Sequence, residues 1–189
     1  MKQSLFTMEH ARQLTADTYE LVLSGDTSAI TAPGQFVNIQ LPGKFLRRPI
    51  SICNWTKDAL LLLVRVVGEG THDLVRCVPG TELDVLSGLG NGFDLAKGGA
   101  HPILLGGGIG IAPLYGLAQR MLEAGIAPTV GLGFRSGGDA FYLEEFGKLG
   151  CRLMVATEDG SLGTKGFVTD LARHVPECGY AFVCGPTPM

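Results

Sequence analysis

The stretch Leu105-Gly106-Gly107-Gly108-Ile109-Gly110-Ile111-Ala112-Pro113 decides how this chain is read. It follows an apolar run at residues 101–105 that reads as a strand. It opens residues 111–124, where apolar residues recur at helical spacing. A glycine turn between strand and helix exposes backbone N–H groups at the positive end of a helix dipole, which suits a pyrophosphate. Pro113 fits the first helical turn, where a missing N–H costs nothing. The dinucleotide fingerprint is incomplete, because Pro113 stands where G-x-G-x-x-G has its third glycine. On this motif alone, a tight turn that binds nothing remains open.

Downstream the rhythm continues. Residues 128–134, 151–157 and 180–184 read as strands, and 143–148 and 166–174 as helices. Such alternation builds a parallel, doubly wound α/β sheet, and the strand ending at Cys184 is expected to lie centrally in it. Upstream, residues 18–23, 35–40, 49–53, 59–67 and 82–86 are short and rich in Val, Ile, Leu and aromatics. Turn clusters such as Ser24-Gly25-Asp26 and Pro79-Gly80-Thr81 separate them, the pattern of an antiparallel barrel or sandwich. A short helix is expected at 71–77. The glycine-rich stretch 88–99 marks the boundary, giving domains over 1–97 and 98–189.

At 189 residues, 46% hydrophobic and 17% charged, the chain is apolar enough to imply a large core or a partner surface. A net charge of -3 gives no electrostatic case for nucleic acid or an anionic membrane. No apolar run is long enough to span a bilayer, and the first residues lack a signal-peptide core, so the expectation is a cytoplasmic protein. The cysteines Cys53, Cys77, Cys151, Cys178 and Cys184 form no C-x-x-C, and neither a zinc site nor a full iron–sulfur ligand set is legible. His10, His72, His101 and His174 have no spacing that suggests a metal or a triad.

Four shorter motifs hold candidate residues. Arg47-Arg48-Pro49-Ile50-Ser51-Ile52 offers an arginine able to clamp phosphate and a serine able to meet a ring heteroatom. Strand alternation, however, sets Arg48 and Ser51 on opposite faces unless the backbone bends. In Val67-Gly68-Glu69-Gly70-Thr71, Thr71 either caps the following helix or joins its first amides on a phosphate. Thr157-Glu158-Asp159-Gly160 ends a parallel strand, either as a solvated turn or as a carboxylate for an adenosine ribose. Cys184-Gly185-Pro186-Thr187-Pro188-Met189 occupies the carboxyl end of another, where open sheets bind ligands.

In their order along the chain, these motifs resemble the ferredoxin–NADP reductase superfamily. The finer matches Leu46-Arg47-Arg48-Pro49-Ile50-Ser51-Ile52, Leu89-Gly90-Asn91-Gly92-Phe93 and Gly166-Phe167-Val168-Thr169-Asp170 are similar to the electron-transfer subunit of the NAD-dependent dihydroorotate dehydrogenase. The resemblance implies an N-terminal FAD-binding antiparallel β-barrel and a C-terminal NAD-binding α/β domain. Arg48, Pro49, Ile50, Ser51, Leu63, Val64, Arg65, Gly70 and Thr71 are then expected around FAD. Gly107, Gly108 and Gly110 would hold the NAD pyrophosphate, and Glu158 and Asp159 would select NAD over NADP, with Arg135 as the opposing charge. Cys184 and Gly185 would lie near the nicotinamide, Cys184 as a candidate positioning residue, with no obligatory catalytic acid or base.

The resemblance also implies a separate dihydroorotate-oxidising catalytic subunit, a hetero-oligomer, and electrons passing through a [2Fe-2S] cluster to FAD and on to NAD+. In the family that cluster is held by a cysteine-rich C-terminal segment. This chain ends before one, and is expected to be a truncated form that holds no cluster and no metal. Two alternatives stand beside this reading: another NADH–flavin reductase subunit serving a ferredoxin or hydrogenase-type partner, and a non-catalytic flavin- or nucleotide-binding module.

Overall fold

Apolar alternation in the first half of the chain closes a sheet upon itself. The computed structural model describes residues 1–186. Within the unit Met1–Phe93, six antiparallel strands form a closed barrel: β1 (Lys2–Gln13), β2 (Thr18–Gly25), β3 (Phe36–Gln40), β4 (Arg48–Trp55), β5 (Ala59–Arg65) and β6 (Glu82–Leu89), in the order β1-β2-β5-β4-β3-β6. Every second residue points inward, so Leu21 and Leu23, Val37 and Ile39, Ile50 and Ile52, Leu60, Leu62 and Val64, and Leu83 and Val85 fill one core. Leu74 and Val75 of helix α1 (Glu69–Val75) join the same core.

β1 departs from the sequence reading, which expected no strand before residue 18. Only Phe6 and Met8 of its twelve residues are buried, so the run KQSLFTMEHARQ shows little apolar alternation. What makes it a strand is tertiary: Lys2–Thr7 pairs with β6, while Phe6–Gln13 pairs with β2 across a bulge at Met8/His10. Without β1 the barrel would have two open edges. β5 ends at Arg65, short of residue 67, and α1 starts at Glu69 rather than at residue 71.

The second unit, Asp94–Met189, begins with a 3-10 turn, Leu95–Gly98, whose cap Asp94 accepts the Ala96 N–H at 3.1 Å. Its sheet comprises β7 (Pro102–Gly107), β8 (Thr129–Phe134), β9 (Arg152–Thr157), β10 (Thr164–Lys165) and β11 (Tyr180–Cys184). The strands are all parallel, in the order β10-β9-β8-β7-β11. Helix α2 (Ala112–Glu123) connects β7 to β8, and α3 (Leu143–Leu149) connects β8 to β9. Residues 166–174, expected as an α-helix, instead form a 3-10 segment, Val168–His174, that packs Val168 and Leu171 against Ile103 and Leu105. Among the described residues β11 pairs only with β7, and its other edge has no partner there.

Two of the clustered glycines have a packing role that composition could not separate from a ligand role. A Cβ at Gly133 would sit 2.5 Å from Cβ of Val168, and one at Gly131 would sit 2.8 Å from Cδ2 of Leu105. These glycines let the 3-10 segment settle onto the sheet. The first unit is thus the expected antiparallel β-barrel and the second the expected parallel-sheet α/β domain.

Candidate functional site

Adjacent arginines at the start of β4 are used in opposite ways. Arg47 donates from Nη2 to Oδ2 of Asp84 at 2.7 Å and from Nη1 to the carbonyls of Asp84 at 3.0 Å and Asn38 at 3.3 Å, tying β3 to β6. The Arg47 guanidinium holds the Asp84 carboxyl below its usual range. Arg48 donates to the Leu46 carbonyl at 2.6 Å and has no carboxylate partner among the described residues. Its half-buried guanidinium lies against Gly70, where a Cβ would be 1.8 Å from Nε and 2.5 Å from Cζ. Only a residue without a side chain lets that charge rest on the first turn of α1, and an unpaired, half-buried cation beside backbone amides favours an anion.

Pairing of β4 with β3 runs regularly from Arg48 opposite Ile39 to Ser51 opposite Phe36, so the backbone does not bend between them. Arg48 keeps the strand phase of Ile50 and Ile52, while Pro49 and Ser51 are exposed on the other face. The structure thus brings Arg48 together with Gly70 but does not set Ser51 on Arg48's face. Ile50 and Val64 turn into the barrel core, leaving their backbones for any ligand. Leu63 is buried outside that core cluster. Arg65 donates from Nε to Oδ2 of Asp17 at 2.7 Å, a partner too remote along the chain for any local pattern to reveal. The Thr71 hydroxyl accepts the N–H groups of Val67 at 3.0 Å and Gly68 at 3.2 Å and donates to the Gly68 carbonyl at 3.0 Å. Its one donor and both acceptor positions are used in capping.

The second cluster lies at a topological switch point. The chain runs outward from β7 through β8 and β9, then returns to β11 on the other side of β7. Open α/β sheets bind ligands at the carboxyl ends of the strands where the order reverses. There β7 ends in a tight turn, Gly108–Ile111, with Gly108 at φ 51, before α2 begins with a proline in its first turn. A Cβ on Gly110 would lie 2.3 Å from the Cys184 carbonyl oxygen and 2.7 Å from Cα of Gly185. Gly110, Cys184 and Gly185 therefore meet backbone to backbone, whereas a Cβ on Gly108 would touch nothing. No charged side chain belongs to residues 105–113. Any anion held here is held by peptide N–H groups and the α2 dipole. Burial pushes the half-buried Cys184 thiol up, which keeps it protonated at neutral pH.

Glu158 and Asp159 follow β9. Glu158 is exposed, and its side chain has no hydrogen bond or ion pair among the described residues. Asp159 accepts from the Ser161 N–H at 2.9 Å and the Ser161 hydroxyl at 2.6 Å. Of the motif at 184–189, Thr187, Pro188 and Met189 lie outside the described residues. The four histidines are exposed, and among the described residues no group of His, Cys, Asp and Glu could hold a metal ion.

No protein-family model matches the chain. Over its whole length it is 42% identical to the "Dihydroorotate dehydrogenase B (NAD(+)), electron transfer subunit" of Shouchella clausii, covering 76% of that protein. It is 40% identical to the protein of the same name from Listeria monocytogenes serovar 1/2a, covering 77% of it. The chain belongs to this family of electron transfer subunits. Among solved structures it is similar to an NADH-dependent reduced ferredoxin–NADP oxidoreductase, with a TM-score of 0.87 and 31% identity. That match covers 98% of this chain and 69% of the other.

As a member of the dihydroorotate dehydrogenase B electron transfer subunits, the chain is a flavin-dependent oxidoreductase subunit with an electron-carrying role. Such a role needs no nucleophile or proton shuttle in the protein, because the cofactors supply the chemistry. No helix among the described residues is long and apolar enough to cross a membrane.

Proposed function

We propose that the barrel unit binds FAD, that the parallel-sheet unit binds NAD, and that the chain carries electrons from a dihydroorotate-oxidising catalytic subunit to NAD+. The observation that supports this most is the Arg48–Gly70 contact, a half-buried guanidinium without an acid partner among the described residues, set on a helix's first turn. A flavin nucleotide's phosphates have the charge that this arrangement lacks. In this reading Arg48 and the Gly70–Thr71 amides hold the phosphates, while exposed Pro49 and Ser51, buried Leu63 and the backbones of Ile50 and Val64 bound the rest of the molecule. Arg65, steadied by Asp17, lies at the end of the same strand.

Gly107, Gly108 and Gly110 receive the NAD pyrophosphate on backbone N–H groups, and the Cys184–Gly185 backbone closes one side of that turn. One carboxylate of the pair, Glu158 or Asp159, accepts from the ribose hydroxyls and disfavours a 2′-phosphate. When bound, the two cofactors supply a direct hydride transfer. The protein's part is to hold them, orient them and keep water out.

The five cysteines of these 189 residues are assigned no share of a [2Fe-2S] cluster. They are dispersed along the sequence and form no C-x-x-C pair of the kind that cluster ligand sets use. The catalytic subunit is the partner in a hetero-oligomer. Five free thiols fit a reducing compartment, the cytoplasm.

The test is anaerobic titration of the FAD-reconstituted chain with NADH and with NADPH, followed in the visible flavin band. Bleaching by NADH at lower concentration than by NADPH is expected. A chain that takes up no flavin, or whose flavin NADH leaves oxidised, would overturn the reading.

A further inference from the structure

The loops that follow β8 and β9 are joined by a hydrogen-bond network that the sequence did not reveal. The β8–β9 ladder continues past its last pair, Phe134 with Thr157. Glu158 donates its N–H to the Phe134 carbonyl at 3.1 Å, and Asp159 donates to the Arg135 carbonyl at 3.2 Å. Arg135 and Glu158 thereby stand abreast on neighbouring strands, both exposed and both without ion pairs among the described residues. Beyond them the chain turns tightly. The Thr157 hydroxyl donates to the Leu162 carbonyl at 2.8 Å and accepts the Leu162 N–H at 3.0 Å. Gly163, at φ 67, passes so close to Val155 that a Cβ would lie 2.2 Å from its carbonyl oxygen. Lys165 lays its methylenes along Gly160.

Ser161 is the hub of this arrangement. Its hydroxyl donates to Oδ1 of Asp159 at 2.6 Å and accepts the N–H of Gly137, in the loop after β8, at 2.7 Å. A hydroxyl has one hydrogen to give, so donation to Asp159 leaves its lone pairs for Gly137, and a single group fastens both loops. The bonds from Ser161 hold the Asp159 carboxyl below its usual range, so it stays ionised and bound to Ser161. Glu158 alone among the loop's carboxylates is free to turn to a ligand.

We propose that Ser161 is a positioning residue for pyridine-nucleotide selectivity: it occupies Asp159, fixes the loop to Gly137, and so presents Glu158 beside Arg135 as the carboxylate that meets the adenosine ribose. The proposal rests on the NAD-binding reading above and sharpens it, since that reading left Glu158 and Asp159 equivalent. Glu158 accepts from the two ribose hydroxyls of NAD and repels a 2′-phosphate. With Glu158 neutral, Arg135 and Lys165 would instead face that phosphate as cations.

The experiment titrates NAD+ and NADP+ by calorimetry into the flavin-loaded chain, neither nucleotide being able to reduce the flavin, and reads the ratio of the two dissociation constants. Glu158→Gln is expected to move that ratio toward NADP+ by about tenfold or more, the size of an adjacent charge–charge term near a surface. Asp159→Asn retains an oxygen for both Ser161 bonds and is expected to leave the ratio within about twofold of wild type. Ser161→Ala is expected to move the ratio in the same direction as Glu158→Gln and by less, with Ser161→Thr restoring it. A loss of loop order alone would weaken both nucleotides equally and leave the ratio unmoved, and that result for Ser161→Ala overturns the proposal. So do a shift with Asp159→Asn but not Glu158→Gln, and a wild type that prefers NADP+. A wild type that binds neither nucleotide counts against the NAD-binding reading itself.

Discussion

In the barrel unit the guanidinium of Arg48 rests on Gly70 without an acid partner among the described residues, whereas the turn between β7 and α2 in the parallel-sheet unit has no side-chain charge at all. On the function proposed above both regions hold an anion, by different means. The first concentrates one full charge and uses a glycine to let that charge approach the backbone. The second packs backbone on backbone, with Gly110 under Cys184 and Gly185, and leaves peptide N–H groups and a helix dipole to do the binding. A site made from a side chain is lost one residue at a time and weakens with salt. A site made from backbone shape fails through packing, and its failure spreads into the fold.

The largest expected effect is therefore at Gly110. In Gly110→Ala the new Cβ would lie 2.3 Å from a carbonyl oxygen of β11, so the turn and that strand must part. Overpacking of this kind costs about 1–3 kcal/mol or more. Thermal unfolding should show the second unit destabilised, NAD+ titration should show binding lost, and FAD uptake by the first unit should be retained. An unchanged melting profile with intact NAD+ binding would remove the packing half of the contrast.

Arg48→Ala should act in the complementary way. FAD affinity should fall by about 1.5–3 kcal/mol, the usual worth of a charge-assisted hydrogen bond, while the unfolding midpoint stays near that of wild type because Arg48 pairs with no acid among the described residues. Wild-type affinity should also decline as salt rises, and that slope should flatten in Arg48→Ala. Equal flavin occupancy in both proteins would show that the Arg48–Gly70 contact is structural.

Much of this layout was legible in the sequence because it follows from local rules. Strands with period-2 burial, such as Leu60-Leu61-Leu62, and the glycine turn after β7 announce themselves within a few residues. What stayed hidden depends on closure. β1 is polar along most of its length and becomes a strand because two neighbours pair with it. Gly131 and Gly133 serve packing, although they look like turn glycines. Arg47 and Arg48 are adjacent and identical in type, yet only contacts with Asp84 and Gly70, remote in sequence, separate a structural arginine from a candidate ligand-binding one. Ser161 gave no signal, since a serine in a polar turn is unremarked until both of its partners are known.

The smallest effect sharpens the contrast between those two arginines. Arg47 is assigned to the fold through Asp84, whose carboxyl is held below the ordinary value of 3.8 chiefly by the hydrogen bond from Arg47, with Gln3 adding to it against the opposing pull of burial. A carboxylate whose folded pKa is depressed contributes stability that is complete above the unfolded value and lost as pH falls through the folded one. Asp84→Asn keeps the shape and removes the charge, so it should lower stability near neutral pH by up to about 1 kcal/mol, the range of a partly exposed ion pair. That gap should hold constant as pH falls toward 3.8 and narrow only below it, where wild-type Asp84 gains its own proton. Urea unfolding of both proteins across the acid range measures the gap directly. FAD affinity should be the same in the two proteins at every pH where both are folded. A gap that does not change with pH would mean that Arg47 is held by its two backbone carbonyls alone. A change in FAD affinity would mean that the barrel divides its arginine pair differently, with Arg47 sharing the work assigned to Arg48.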